Sequence, residues 1–561
     1  MDLKFERPLQ QGSQEYQTDA SLFPVNKPVK KLESLVQCSG EAEYINDLPL
    51  SPKELHAAFV LTSQANCDID ILDPTPALQL EGVVSFVSQK DIPGINNVTF
   101  HKKFSEPLFV SDHVNYAGQA VGVIVATSAE LAHLAARRVR ITYKNIKPLV
   151  LNIKDAVKMD GRVSSAPVGD PDVEGDVEEE FAAGDKTVTG EFQIGSQYHF
   201  HLETQTCIVK PEEDGFTVSS STQYVDMVQR LVAATLNIKE SDINMSVRRL
   251  GGAFGGKISQ ANIPAAACAV AANKLNLPVR LRMDLRTNME MLGKRLPYLV
   301  RYKASVDKAG KMKSVKMKIF CDSGYSYNES TSNTAASFAR NVYLSKAWNI
   351  IPVAVLTDKA SNTYTRAPGS TQGHAMIENV VEHLAHDTGV DPLDFRMNNM
   401  VGGDSSDAGQ THPIRDIIEK LKKSSDFIQR KTEIINFNKS NLWQKKGISL
   451  IPLKYRHNYF GTRYHVNISV YHDDGSVAVT HGGIEMGQGL NTKVCQVVAR
   501  ELGISMDLIR IKPTNNVAGA NSSVTGGSMG SECNCSVGFH YNLKLIFIFL
   551  FLRLRSLHVR N

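Results

Sequence analysis

The chain has no C-x₄-C-x₂-C run and no C-x₂-C pair. It therefore builds neither a plant-type [2Fe–2S] site nor a zinc ribbon from its own thiols. Its eight cysteines, Cys38, Cys67, Cys207, Cys268, Cys321, Cys495, Cys533 and Cys535, are scattered. That pattern fits reduced thiols in the cytoplasm, not a disulfide framework. The apolar run Leu545 to Leu552 falls far short of the ~20 residues a membrane helix needs. The stretch Met1 to Gln17 is polar and has no signal-peptide core. A formal net charge of +4 over 561 residues offers little to nucleic acid or a membrane surface. Fixed-period repeats and long low-complexity tracts are also missing. What is left is a large soluble protein. Its length points to two to four domains, and 42% hydrophobic residues allow sizeable cores.

The most informative stretch is Gly251-Gly252-Ala253-Phe254-Gly255-Gly256-Lys257. An apolar segment, Met245 to Leu250, leads in, and a helical pattern, Ile263 to Leu275, leads out. Glycines let backbone N–H groups approach a ligand, and a following helix turns its positive end toward them. The spacing G-x-x-x-x-G-K matches a phosphate loop, but Ile258 stands where a magnesium-binding Ser or Thr is required. The dinucleotide spacing G-x-G-x-x-G is absent as well. A plain glycine-rich bend is the competing reading. Lys257 fits either a cofactor phosphate or substrate oxygen, or an ordinary surface lysine.

Three further segments resemble this one in kind. Tyr364 to Gly373 precedes an amphipathic helix with apolar Met376, Ile377, Val380, Val381 and Leu384. Glu485-Met486-Gly487-Gln488-Gly489 follows a hairpin turning at Asp473-Asp474-Gly475, and opens a helix with Asn491 as N-cap and Gly503 as stop. Asn521 to Glu532 is a loop rich in small donors. Four such loops imply one extended anionic ligand held at several points. His199, His201 and His481 lack a third ligand at convincing spacing and read as solvated or core histidines.

These loops resemble, in order from about Gln37 to Glu532, the molybdenum-binding part of the xanthine dehydrogenase and aldehyde oxidase family. Ser39 to Tyr44, Gly118 to Gly122, His201 to Gln205 and Ser221-Thr222-Gln223 extend the match. The resemblance implies an α+β chain. An α/β hammerhead domain (36–150) follows a lead (1–35). An acidic linker (151–184), read as a solvated connector, leads to a two-part mixed α/β molybdopterin-binding domain (185–410 and an incomplete 411–535). An atypical tail (536–561) closes the chain. Within the hammerhead, Ala120 to Ala126 reads as a strand, Thr127 to Glu130 as the capping box of a helix to Arg138, and Val139 to Tyr143 as a strand. Gly118-Gln119 reads as a structural turn.

The implied cofactor is molybdenum-molybdopterin, whose dithiolene supplies the metal's sulfur ligands. By motif, the cofactor-binding residues are Gln223, Gly252, Phe254, Gly255, Arg366, Gln488, Thr525, Gly527 and Ser528. Gln223, Phe254, Arg366 and Gly527 are the ones nearest the metal. Read without the resemblance, Gln223 is a helix cap, Phe254 core and Arg366 a surface ion pair. The implied reaction is hydroxylation with water-derived oxygen, a glutamate acting as base, and electrons leaving through iron–sulfur clusters and flavin. Ile258, Thr334 and Pro368 stand where the xanthine-oxidising branch resembles Glu, Arg and Phe. The substrate pocket is thus expected to take aldehydes, and with them apolar N-heterocycles, rather than purines.

The expected base lies in a segment beyond the Thr525 loop that this sequence does not contain. [2Fe–2S] and FAD belong to a longer parent, expected to be a cytoplasmic homodimer. Two functions therefore stay open: an aldehyde-oxidising module inactive by itself, and a non-catalytic degenerate relative. A purine hydroxylase and a nucleotide hydrolase are weaker alternatives.

Overall fold

The computed structural model describes residues 18–99, 104–165, 169–402, 413–455 and 463–540. Among these, four mixed or antiparallel sheets carry the fold. The largest has eight strands, and its order joins segments far apart in sequence. Thr514–Asn515 lies at one edge, followed by Ile243–Val247, Gly215–Ser220, Thr206–Glu212, Val279–Arg282, Leu55–Leu61, Ala120–Ala126 and Val83–Ser88. Leu55–Leu61 runs parallel to Val279–Arg282, with Leu55 opposite Val279. The sheet thus passes without a break from the N-terminal α/β unit into strands between residues 206 and 282 and on to Thr514–Asn515.

The Asn262–Leu275 helix packs on this sheet, and Ala265, Ala266, Ala267, Ala269, Ala271 and Ala272 are all fully buried. Alanine is the best helix former, and its methyl lets a helix sit close to its neighbours. This helix therefore hides nearly its whole circumference. Its start fixes where the glycine loop before it can lie.

A second sheet has five strands in the order Asp172–Glu174, Ala347–Val355, Met312–Asp322, Tyr298–Val306 and Lys186–Ile194. The Ser370–Thr388 helix seals it with Met376, Ile377, Val380, Val381 and Leu384, all buried as their helical spacing requires. A third sheet, Val466–Val470, Val477–His481 and Ile509–Ile511, carries the Leu490–Leu502 helix.

Several local expectations shift. Ala120–Ala126 is the strand read from sequence; the returning strand, Arg140–Lys144, starts one residue later than expected and pairs with Cys67–Asp73 in a separate three-stranded sheet. The helix between them begins one residue late, at Ala129. Ser128 is its N-cap, accepting from the Leu131 N–H, so Glu130 falls outside capping-box register. The acidic stretch is not a solvated connector. Asp172–Glu174 pairs with Ala347–Val355, and Asp172 and Glu174 both bind Arg340. Asp176 caps the Val177–Ala182 helix. Residues 20–47 form a packed strap: Gln496 Nε2 donates to the Pro24 and Lys27 carbonyls, and further along Arg280 Nη1 donates to the Asn46 carbonyl. All eight cysteines are free thiols. No described helix is long and apolar enough to cross a membrane. The Gly530–His540 helix includes Val537, and the Leu545–Leu552 run lies outside the described residues.

Candidate functional site

One cavity of about 1440 Å³ gathers the loops singled out by sequence. Gln223, Gly252, Phe254, Gly255, Ile258, Arg366, Pro368, Gln488, Thr525, Gly527 and Ser528 all line it. Thr334 does not: it is exposed on the Ser332–Phe338 helix and backs the bend at Gly369 from outside the lining.

Gln223 is the knot of this site. Its Oε1 accepts the Gly255 N–H at 3.0 Å and the Lys257 N–H at 3.3 Å, and its Nε2 donates to the Thr525 carbonyl at 2.8 Å. Its backbone N–H donates to the Lys257 carbonyl, and its backbone carbonyl accepts from Thr525. One buried residue therefore ties the glycine loop to a loop about three hundred residues later in sequence. It does not cap the helix at Val225: the Tyr224 N–H donates to Thr222 Oγ1 instead.

The glycine loop is supported from beneath. Lys257 is neither exposed nor turned to the cavity. Its ammonium is fully buried, 2.8 Å from Glu203 Oε2, and that oxygen also accepts the Gly251 N–H at 2.9 Å. Burial lowers the Lys257 pKa, against the pull of Glu203. Both expectations for Lys257, phosphate ligand and surface lysine, are corrected: it is the internal counterion of Glu203. His199 packs its ring under Gly256 and contacts the Tyr364 carbonyl and Thr365 Oγ1 at 2.8 and 2.7 Å. His199, His201 and His481 are all buried. Burial holds His199 down at about 4 and His201 at about 3, with Arg295 and Lys257 respectively adding like-charge repulsion.

Arg366 meets the glycine loop through its backbone. Its N–H donates to the Phe254 carbonyl, and its carbonyl accepts from Arg295 Nη2, each at 2.8 Å. Phe254, which reads as core without the family resemblance, is 41% exposed and faces the cavity. The second-region loop is closed by its own side chains. Gln488 Oε1 accepts the Met486 N–H and its Nε2 donates to the Ile484 carbonyl. Glu485 accepts the N–H groups of Gly487, Gly489 and Asn491. The positive end of the Leu490–Leu502 helix is thus already met by a carboxylate of the chain. Gly489, in the left-handed region, occupies the N-cap position instead of Asn491, which sits inside the helix and contacts His481 Nε2. Thr525 Oγ1 accepts the Ile484 N–H at 2.9 Å and joins this loop to the last.

Backbone strain concentrates here. Among the described residues, five that are neither Gly, Asn nor Asp have positive φ, and four line the cavity: Phe200, Phe254, Ala367 and Ser528, at 54 to 61°. Each costs roughly 1–2 kcal/mol, and strain of this kind clusters where a loop is shaped for a ligand. Sequence reasoning missed Glu203, Phe200, Leu202 and the strap residues Gln37, Tyr44, Asn46 and Asp47, all in the lining. The His201 to Gln205 motif was a signal for Glu203, since a buried lysine requires an acid. No group of three or more His, Cys, Asp or Glu suited to a metal occurs among the described residues.

Comparison with known proteins yields three matching domains. Residues 39–147 match the aldehyde oxidase and xanthine dehydrogenase a/b hammerhead domain; 164–400 and 420–537 each match a molybdopterin cofactor-binding domain. Aldehyde oxidase 2 of Macaca fascicularis is 34% identical over 522 residues, 91% of this chain and 38% of that protein. Xanthine dehydrogenase of Dictyostelium discoideum is 33% identical over 547 residues, 94% of this chain and 39% of that protein. The chain thus spans about two fifths of the length of these relatives. In fold it is similar to the aldehyde oxidoreductase of Desulfovibrio gigas, with a TM-score of 0.72 at 21% identity, covering 89% of this chain and 57% of that one. It is also similar to quinoline 2-oxidoreductase of Pseudomonas putida 86, with a TM-score of 0.73 at 22% identity, covering 91% and 70%.

Proposed function

The chain belongs to the aldehyde oxidase and xanthine dehydrogenase family of molybdenum oxidoreductases, and from that premise we propose that its large cavity holds a molybdenum-pterin cofactor beside an aldehyde. The observation that carries this reading is the Gln223 knot, which sets loops from both molybdopterin-binding matches around one space. The residues present fit such a group. A Cβ on Gly255 would lie 2.5 Å from the Tyr364 carbonyl oxygen, so the cradle tolerates only glycine there. The described residues gather no metal-ligand set of their own, which suits a cofactor that brings its own sulfur ligands.

When bound, the cofactor supplies a Lewis-acidic redox centre. The chain's residues would then hold and orient it. The strained turn at Phe254 would present backbone to it, and Gly252, Gly255 and Gly527 would allow close approach. Gln223, with one amide hydrogen beyond its bond to Thr525, would help hold the metal end of the cofactor. Gln488, Thr525 and Ser528 would close over the pterin, and Arg366 would border the metal through its loop.

Ile258 supports an aldehyde over a purine. It lines the cavity, 6% exposed, packed against Gly526, and offers no polar partner for a purine edge. Pro368 adds a second apolar surface. Aldehyde turnover by this polypeptide alone is expected to be low. All three carboxylates of the lining are already engaged: Glu203 with Lys257, Asp47 with the Tyr44 N–H, and Glu532 with a partner of its own. The iron–sulfur and flavin groups, the homodimer and the cytoplasmic location belong to the same proposal for the longer parent. A non-catalytic chain is the second reading, favoured by the same engaged carboxylates.

The test is elemental analysis of the purified chain from a host that makes the cofactor, with aldehyde and xanthine oxidation assayed beside it. Near-stoichiometric molybdenum with slow or no aldehyde turnover and no xanthine turnover is expected. A chain without molybdenum, or one that prefers xanthine, would overturn the reading.

A further inference from the structure

The strap formed by residues 20–47 carries one side chain whose placement calls for an explanation. Glu33 stands at the N-cap of the Ser34–Ser39 helix, yet makes no cap bond there. Its carboxylate reaches away instead. Oε2 accepts from Arg249 Nε at 3.2 Å, and Oε1 accepts from Asn491 Nδ2 at 2.9 Å. Arg249 immediately precedes the glycine-loop lead at Leu250. Asn491 is in the first turn of the helix behind the Gln488 loop. The pair is mostly buried, with Arg249 8% and Glu33 12% exposed at the side chain.

Neighbouring contacts run the same way. Arg249 Nη1 donates to the Glu43 carbonyl, and the Leu32 N–H donates to Thr492 Oγ1. Lys31 Nζ donates to Gln37 Oε1 and to the Gly487 carbonyl, and lies 4.0 Å from Glu485. The Leu250 N–H donates to the Glu485 carbonyl, which closes the circuit between the two loops.

We infer that Glu33 is a positioning residue that latches the root of the glycine loop to the start of the Leu490–Leu502 helix, so that the two cofactor loops keep one fixed separation. The physical reason is that a buried guanidinium with its acid removed is costly and moves to find another partner. Arg249 has no slack to move without drawing Leu250 along. The Asn491 side chain, freed of Glu33, would keep its contact with His481, while its N–H stays on Glu485. The latch itself does not depend on what the cavity binds; its effect on cofactor retention rests on the proposed function.

Hydrogen exchange on the full chain, purified without cofactor, tests the latch in Glu33→Gln and Glu33→Asp. Glu33→Gln is expected to speed exchange at Leu250 to Gly255 and at Gly487 to Asn491 together, by about tenfold or more for loss of a mostly buried pair. The Ser370–Thr388 helix, in a different core, should stay unchanged. Glu33→Asp, which keeps the charge, should restore part of the protection in both loops. Unchanged exchange in either loop, a rise confined to the strap, or a uniform rise that includes the Ser370–Thr388 helix would overturn the inference. A second arm measures the molybdenum-to-protein ratio after gel filtration of cofactor-loaded chains, expected to fall in Glu33→Gln and to recover partly in Glu33→Asp. Full retention in Glu33→Gln would overturn the latch's role in holding the cofactor. A wild-type chain that shows the latch yet takes up no molybdenum would overturn the cofactor reading and leave the latch standing.

Discussion

Two glycine-rich loops of this chain look alike in sequence and differ in how they are built. The loop at Gly251 to Lys257 is packed from below by a buried ion pair, a buried histidine and the Gln223 amide. The loop at Glu485 to Gly489 is closed mainly by its own side chains, with outside contacts at the Glu485 and Gly487 carbonyls, and a Cβ on Gly487 or Gly489 would meet nothing within 4 Å. In the first, glycine is required by neighbours; in the second, only by the backbone angle. A glycine motif therefore does not by itself tell a cradle from a turn, and the difference lies in distant partners.

Breaking the support under the first loop should have the largest effect. Lys257→Met leaves Glu203 buried and unpaired and is expected to cost about 3–5 kcal/mol in urea unfolding. Adding Glu203→Gln to it should recover much of the loss. A single-variant cost under about 1 kcal/mol would mean that the pair does not hold the loop.

Gly255→Ala comes next, at about 2–3 kcal/mol, from a φ of +98° and the Tyr364 carbonyl in the way of the new methyl. Cofactor retention should fall with it.

Acidification gives a graded version of the same comparison. His199 and His201 titrate at about 4 and about 3 in the fold, below the ordinary value of 6.5. The unfolded chain therefore binds protons first. The histidines' contribution to stability should be full above about pH 6.5 and decline as pH falls toward 4, by about 1.4 kcal/mol per histidine per pH unit, while buried Glu329, pushed up to about 7, acts with the opposite sign between about pH 4.5 and 7. His481, also lowered by burial, adds in the same sense. His201→Phe should reduce the slope of unfolding free energy against pH by one proton; an unchanged slope would contradict the assignment.

Gly487→Ala should be the smallest, about 1 kcal/mol from backbone conformation alone. A larger loss would show that the second loop is packed in a way its open surroundings do not indicate.

Much of the site was legible because its residue types announce themselves. Phe254 and Gly255 in the glycine loop, Arg366 and Pro368 ahead of an amphipathic helix, and Thr525 and Gly527 in a donor-rich run all line the cavity. The Ser370–Thr388 helix was readable from its apolar period. What the sequence hid was long-range pairing. Glu203 and Lys257 are 54 residues apart, and Glu33 and Arg249 are 216 apart, so no local pattern joins them. Thr334 was placed by register alone, and register cannot say which way a helical side chain faces. The acidic run near Asp172 looked like solvent-exposed linker because its counterion, Arg340, lies 168 residues downstream.

The most direct test of the central claim is the hydrogen-exchange footprint of the wild-type chain with and without molybdopterin. The account predicts that loading protects residues 251–257, 364–368, 484–489 and 523–529 together. Protection confined to one of these segments, with the others unmoved, would contradict a single shared cofactor.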